Sequence, residues 1–219
     1  MKKLVPSIMT AVSAVAATLL VAAGPAPSAG AAGQSYSAPL TTAIGSLTVA
    51  AEVRTGYERS KFKHWVDADG DGCSTRFEVL DVESETSVTC SNLSGGRWFS
   101  YYDRVSWTDP GRIDIDHMVP LAEAWDSGAR SWTAAQREAY ANDLGDSRTL
   151  VGVTDSVNQA KGDQDVAQWL PTYDRCRYLR EWVAVKVRWR LTVNSGEKTA
   201  LQNLAAGCTN VTITVTRAI

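Results

Sequence analysis

The chain has 219 residues, 44% of them hydrophobic and 21% charged, with four cysteines, two histidines and a net charge of −2. That length supports one domain with a real core. The charge excludes a globally basic nucleic-acid coat protein but leaves room for a local basic groove of the kind phosphate binding needs.

The first residues are Met1-Lys2-Lys3, followed by an apolar run, Leu4 to Ala23, and the break "GPAPSAGAAG" with Ala29-Gly30-Ala31 as a cleavage pattern. Residues 1–31 are therefore expected to be a secretory signal peptide, the alternative being an uncleaved membrane anchor. No later apolar stretch reaches ~18 residues, so no membrane association is expected after cleavage. Losing Lys2 and Lys3 takes the net charge to about −4. Residues 32–45 read as a small-residue linker, and residues 46–219 as one domain.

From Ile44 a helix-like pattern runs through Leu47, Val49, Val53 and Tyr57. "DADGDGCSTRFE" then fits the calcium-loop spacing, with Asp67, Asp69 and Asp71 at positions 1, 3 and 5 and Glu78 at position 12. Extracellular calcium would make a weak structural Ca²⁺ site usable there. The competing reading is a solvated acidic turn, since Cys73 at position 7 belongs to the cysteine set and the flanks do not form an EF-hand pair. "GGRWFSYYDRVSW" suits a hairpin, in which Trp98, Tyr101 and Tyr102 either pack in the core or stack on bases.

Ile113 to Val119 alternates like a strand, which puts Asp114 and Asp116 on one face and His117 on the other. Helices are expected at Leu121–Trp125 and Thr133–Leu144, the second capped by Thr133 and stopped by Gly145. Arg148 to Val153 reads as a second strand, and Thr154 or Asp155 caps a helix carrying Asn158 and Lys161. Tyr173 to Leu191 is a strong helix. On it Arg177, Arg180 and Arg188 fall within an arc of about 80° beside an apolar stripe, a candidate phosphate-binding face. "SGEKTALQNLAAG" is a further helix, with Ser195 as N-cap and Gly207 at its end. The fold class is α+β, without internal repeats.

Cys73, Cys90, Cys176 and Cys208 all lie in the exported part, and an even count there implies two disulfides. Three pairings are possible. Cys73–Cys90 with Cys176–Cys208 is the expected one, because each pair brackets a compact segment. A zinc site is the rival, disfavoured by the absence of any C-x-x-C pair.

"IDIDHMVPLAEAW", "NDL" and "RTLVGVTDSVNQAKGDQD" together resemble the HNH nuclease motif with its ββα-metal fold. More narrowly they resemble the secreted bacterial HNH-family nucleases akin to the C-terminal (DUF1524-like) domain of the GmrSD restriction endonucleases. "GCSTRFEVL" and "YDRCRYLREWVAVKVRWRLTV" carry the likeness from about Leu47 to Cys208. The resemblance implies a two-stranded hairpin plus helix embedded in additional helices and stapled by disulfides. It implies His117 as general base, with Asp116 and Asn158 as ligands of Mg²⁺ or Mn²⁺. Lys161, one turn after Asn158, is a candidate phosphate contact. Counting back nine from Asn158 puts Thr149 where the motif's middle asparagine is expected; Asn142 is a possible substitute.

The function implied is a secreted, extracellular, metal-dependent endonuclease of low sequence preference. It would act as a monomer on DNA and possibly also RNA. The rivals are a non-catalytic extracellular calcium-binding or cell-wall module, and an antibacterial nuclease effector.

Overall fold

The computed structural model describes residue 1 and residues 32–219, so the expected leader, apart from Met1, lies outside the described residues. In chain order the elements are β1 (Ser35–Pro39), α1 (Leu40–Ser46), α2 (Thr75–Glu83), β2 (Trp98–Ser100), β3 (Val105–Trp107), β4 (Ile113–His117), α3 (Leu121–Asp126), α4 (Ala134–Ala141), β5 (Leu150–Thr154), α5 (Asp155–Lys161), α6 (Arg175–Arg188), α7 (Ser195–Ala205) and β6 (Thr212–Thr216). Short 3-10 turns fall at Arg59–Lys61, Pro110–Arg112 and Ala129–Ser131. The strands pair as three antiparallel two-stranded sheets, β1–β6, β2–β3 and β4–β5. The class is α+β.

Two-stranded sheets are marginal alone, so each leans on helices. The main core is built around α6, where Tyr178, Leu179, Trp182, Val183, Ala184 and Val185 are buried along with neighbours from α1, α3, α7 and β6. Ten of the fourteen residues of α6 are buried, including Glu181, Lys186 and Arg188, so this helix runs through the interior despite its charges. A smaller cluster, Val79, Leu80, Trp98, Ile113, Ile115 and Leu150, lies between α2, β2 and the β4–β5 pair. It fixes one face of β4 and leaves the other for α5.

The segment expected to be a linker contains β1 and most of α1. Tyr36 pairs with Val215 and Ala38 with Ile213, and Leu40, Ala43 and Ile44 are buried. Their partner strand β6, "TITVT", alternates exposed and buried residues but pairs across nearly the whole chain, which local pattern does not reveal. The helix expected from Ile44 is also corrected, because α1 ends at Ser46. Beyond it Val193 N–H donates to Thr48 O at 3.0 Å and Ala50 N–H to Val193 O at 2.9 Å, and these cross-chain bonds hold the segment extended.

Thr133 caps α4 through a reciprocal capping box with Gln136, as expected. The cap of α7 is Asn194, whose side chain accepts from Glu197 N–H, and not Ser195. The disulfides are Cys73–Cys90 and Cys176–Cys208, with Cα atoms 5.9 and 5.6 Å apart. Both separations suit a disulfide.

Candidate functional site

In the β4–β5 ladder Asp114 lies opposite Val153, Asp116 opposite Val151 and His117 opposite Leu150. Ile113 and Ile115 fill the small core, so the strand's two-residue period directs Asp114 and Asp116 toward α5. There Asn158 Nδ2 donates to Asp114 Oδ2 at 3.3 Å. Only the amide nitrogen can donate to a carboxylate, so this contact fixes the amide orientation and leaves Asn158 Oδ1 without a protein partner among the described residues.

Asp116 is buried, and its two oxygens have different surroundings. Oδ2 accepts from Tyr102 OH at 2.6 Å and from Lys161 Nζ at 2.5 Å. Oδ1 has no protein hydrogen bond among the described residues, and Asp116 lines a polar cleft of about 200 Å³ with Arg59, His117, Asn158, Gln159 and Asp163. Burial pushes the Asp116 carboxyl up and the Lys161 ammonium down, while each partner opposes the shift in the other. Lys161 Nζ also donates to the carbonyls of His117 and Met118, at 3.0 and 2.9 Å. Three acceptors match the three hydrogens of an ammonium, so the pair is ionic.

This placement corrects the phosphate-binding role expected of Lys161. The side chain is fully buried and already paired. It sets Asp116 in place instead. The arginine face expected on α6 is corrected too. Arg188 is buried and forked onto Asp143, both contacts at 2.7 Å. Arg177 pairs with Glu181 and lies 3.9 Å over the Tyr101 ring, and Arg180 is half-buried. None of the three lines the cleft. The helix is buried around most of its circumference, and the guanidinium groups of Arg177 and Arg188 serve the protein's own acids.

His117 is also buried, and burial pushes its imidazole down to about 3, not the near-neutral value expected. The ring lies 5.3 Å from Trp65 and 6.3 Å from Tyr140, and its Nε2 sits 2.9 Å from Ala141 O. A carbonyl only accepts, so Nε2 carries the proton and Nδ1 keeps the lone pair.

Thr149 does not orient the histidine. Its hydroxyl donates to Asp143 Oδ2, away from His117. That part falls to the end of α4. Ala141 supplies the carbonyl, while the Asn142 side chain accepts from Val66 N–H and donates to Lys63 O. The segment so clamped holds Trp65 at φ 62°, a left-handed conformation rare for a bulky residue, against His117.

Nothing in the sequence pattern ties His64 to the site, yet its ring centroid lies 6.5 Å from that of His117. Sequence reasoning also missed Arg59, on an irregular segment without periodicity, and the Tyr102 bond to Asp116. The aromatics Trp98, Tyr101 and Tyr102 are core residues.

Carboxylate oxygens of Asp67, Asp69 and Asp71 come within 4.8 Å of one another, all on exposed residues. Asp67 accepts from Gly70 and Gly72 N–H at 2.8 and 3.0 Å, which folds the loop around its acids. Glu78, at the start of α2, faces them. Burial and then the charges of Asp69, Asp71 and Asp67 push its carboxyl up, and its Oε2 is buried without a partner. A larger hollow of about 360 Å³ beside this loop is lined by Asp71, Glu78, Asp81, Glu83, Asp143 and Asp146, of which Asp143 and Asp146 are paired with Arg188 and Arg148.

The family model that matches the chain is that of the GmrSD restriction endonucleases, C-terminal domain, over residues 74–204. The chain belongs to this family. The match takes in α2, the β4–β5 pair, α5, α6 and most of α7, and so every cleft residue except Arg59. The family makes it nuclease-like. A relative, an uncharacterized secreted protein of Arthroderma benhamiae, is 46% identical over 158 residues, covering 70% of this chain and 76% of that protein. The family resemblance therefore stands without a bacterial source. No solved structure matches.

Proposed function

We propose that the protein is a secreted, metal-dependent HNH endonuclease that hydrolyses phosphodiester bonds with little sequence preference. The observation that carries this reading is the convergence of His117, Asp116 and Asn158 on one polar cleft. Asp116 and His117 end β4 and Asn158 lies on α5, which follows the paired strand β5, in a chain of the GmrSD C-terminal family. The apolar leader pattern, two disulfides and a secreted relative support export.

The donor set fits a hard divalent ion. Among the described residues Asp116 Oδ1 and Asn158 Oδ1 are oxygen atoms without protein partners, on residues that line a cleft with room for waters. These two residues would hold Mg²⁺ or Mn²⁺, which supplies charge neutralisation at the phosphate and stabilisation of the leaving 3′-oxygen. His117 Nδ1 takes a proton from the water that attacks phosphorus. Burial keeps the ring neutral and able to accept beforehand. As imidazolium forms, the Ala141 carbonyl and the faces of Trp65 and Tyr140 stabilise it. Lys161 and Tyr102 hold Asp116 ionised, and Asp114 holds the Asn158 amide. The acidic loop is read as a separate structural Ca²⁺ site of Asp67, Asp69, Asp71 and Glu78, because the three aspartates bring carboxylate oxygens within 4.8 Å of one another and their charges act on the Glu78 carboxyl.

The test is incubation of the protein with plasmid and with RNA in Mg²⁺, and again in EDTA. Conversion of supercoiled DNA that EDTA stops is the expected result. Intact substrates under both conditions would leave the calcium-binding or wall-module reading. An antibacterial effector would share the chemistry.

A further inference from the structure

We propose that Arg59 is the phosphate anchor of the cleft, gripping a non-bridging oxygen of the substrate backbone opposite Asp116 and Asn158. This rests on the nuclease reading and goes beyond it by naming the group that holds the polyanion.

A polyanion entering this cleft meets Asp116 and Asp163 on its walls. It needs a cation that is not already spent on the protein. Arg54 is bound to Asp126 at 2.7 Å and to Asp163 at 3.2 Å. Lys161 is buried against Asp116, Lys61 is tied to Glu58 and to the Gly56 carbonyl, and Lys63 pairs with Glu138. Arg59 lines the cleft, is exposed, and has no carboxylate within ion-pair distance among the described residues. By elimination it is the cation the site offers. The Arg54 pairing also lessens the repulsion that Asp163 would exert on phosphate, although Arg54 divides its one charge between Asp126 and Asp163.

Arg59 is presented rigidly. It opens a 3-10 turn closed by Phe62 N–H to Arg59 O and Lys61 N–H to Glu58 O, both 3.0 Å. Phe62, next after the turn, is fully buried, with ring centroids 6.4 Å from Tyr57, 6.4 Å from Trp125 and 6.2 Å from Tyr140. An anchored backbone lowers the entropy lost when the side chain closes on a ligand. A guanidinium fork matches two phosphate oxygens where an ammonium meets one. A cleft of about 200 Å³ takes a phosphodiester with its waters but no base pair. Recognition through the backbone then follows, with no reading of sequence.

The experiment compares wild type with Arg59→Ala, Arg59→Lys and a control, Lys63→Ala, whose exposed side chain is outside the cleft. Melting temperature, binding of a fluorescent duplex in EDTA across a salt series, and steady-state cleavage in Mg²⁺ are measured for each. Arg59→Ala should melt like wild type, lose one charge's worth of salt dependence in binding and lose kcat/KM on the order of 10- to 100-fold. Arg59→Lys should recover part of that loss, and Lys63→Ala should behave as wild type. A wild type that cleaves, with Arg59→Ala equal to it in rate and salt slope, overturns the anchor and leaves the nuclease reading intact. An Arg59→Ala defect no larger than that of Lys63→Ala also overturns it, by reducing the effect to surface charge. A wild type that neither binds nor cleaves nucleic acid fails at the earlier step.

Discussion

A basic side chain in a nuclease sequence invites a role on phosphate, but burial decides whether that role is open to it. Lys161 follows Asn158 by one turn and faces the same way, yet it is fully enclosed and sits on Asp116. Its removal should therefore register in stability. Lys161→Met leaves the Asp116 carboxylate buried and unpaired, a change that costs about 3–5 kcal/mol. A thermal melt should show a large fall, whereas a lysine contacting only substrate would leave the melt unmoved. Glu83 offers a pH test. Burial pushes its carboxyl up to about 7, against 4.5 for an unburied one, although it accepts from Gly152 N–H at 2.6 Å. The folded state thus binds this proton more tightly than the unfolded chain. The contribution to stability is full below about pH 4.5 and is lost as pH rises through about 7. Wild type should lose melting temperature across that window relative to Glu83→Gln, and parallel pH curves for the two would refute the assignment. The same carboxyl explains Gly152. A Cβ there would come within 2.6 Å of Glu83 Oε2, so only glycine lets strand and acid approach.

Among the elements, those built from local pattern were legible. The alternation of "IDIDH" and the cap at Thr154 predict β4, two residues longer than it is, and the start of α5, whereas the pairing of Asp116 with Asn158 is implied by the family resemblance. The α6 helix was legible as a helix, but a charged arc beside an apolar stripe looks the same whether it faces solvent or internal acids. Only tertiary packing reveals Asp143 beneath Arg188. The segment from Arg59 to Val66 carries no period at all. Buried Phe62 and the Asn142 clamp set its position, so the approach of Arg59 and His64 to the site had no signal in the sequence. The acidic loop belongs to this scale as well. Calcium bound only to the folded loop stabilises it by about 2.7 kcal/mol at a hundredfold excess over Kd. Millimolar Ca²⁺ should raise the melting temperature of wild type by several degrees and that of Asp69→Ala by much less. A wild-type melt indifferent to Ca²⁺ reduces the loop to a turn.

At the scale of the whole molecule, an acidic chain handles a polyanion by keeping its charges apart. The carboxylates of the calcium-type loop and the neighbouring hollow are not among the residues that line the cleft, whose acids are Asp116, held by Lys161, and Asp163, paired with Arg54. The β1–β6 pair closes the two ends of the described chain onto α6, a pairing set by contacts far apart in sequence and so absent from local pattern. The central claim is that this frame serves proton transfer at one imidazole. The most direct measurement is the single-turnover rate of plasmid nicking in saturating Mg²⁺ for wild type and His117→Asn, with melts of both. The Asn variant still fills part of the space between Trp65 and Tyr140. The account predicts a rate lower by on the order of 10²- to 10⁴-fold, with duplex affinity unchanged and a folded protein in both melts. Equal rates from two folded proteins would contradict it.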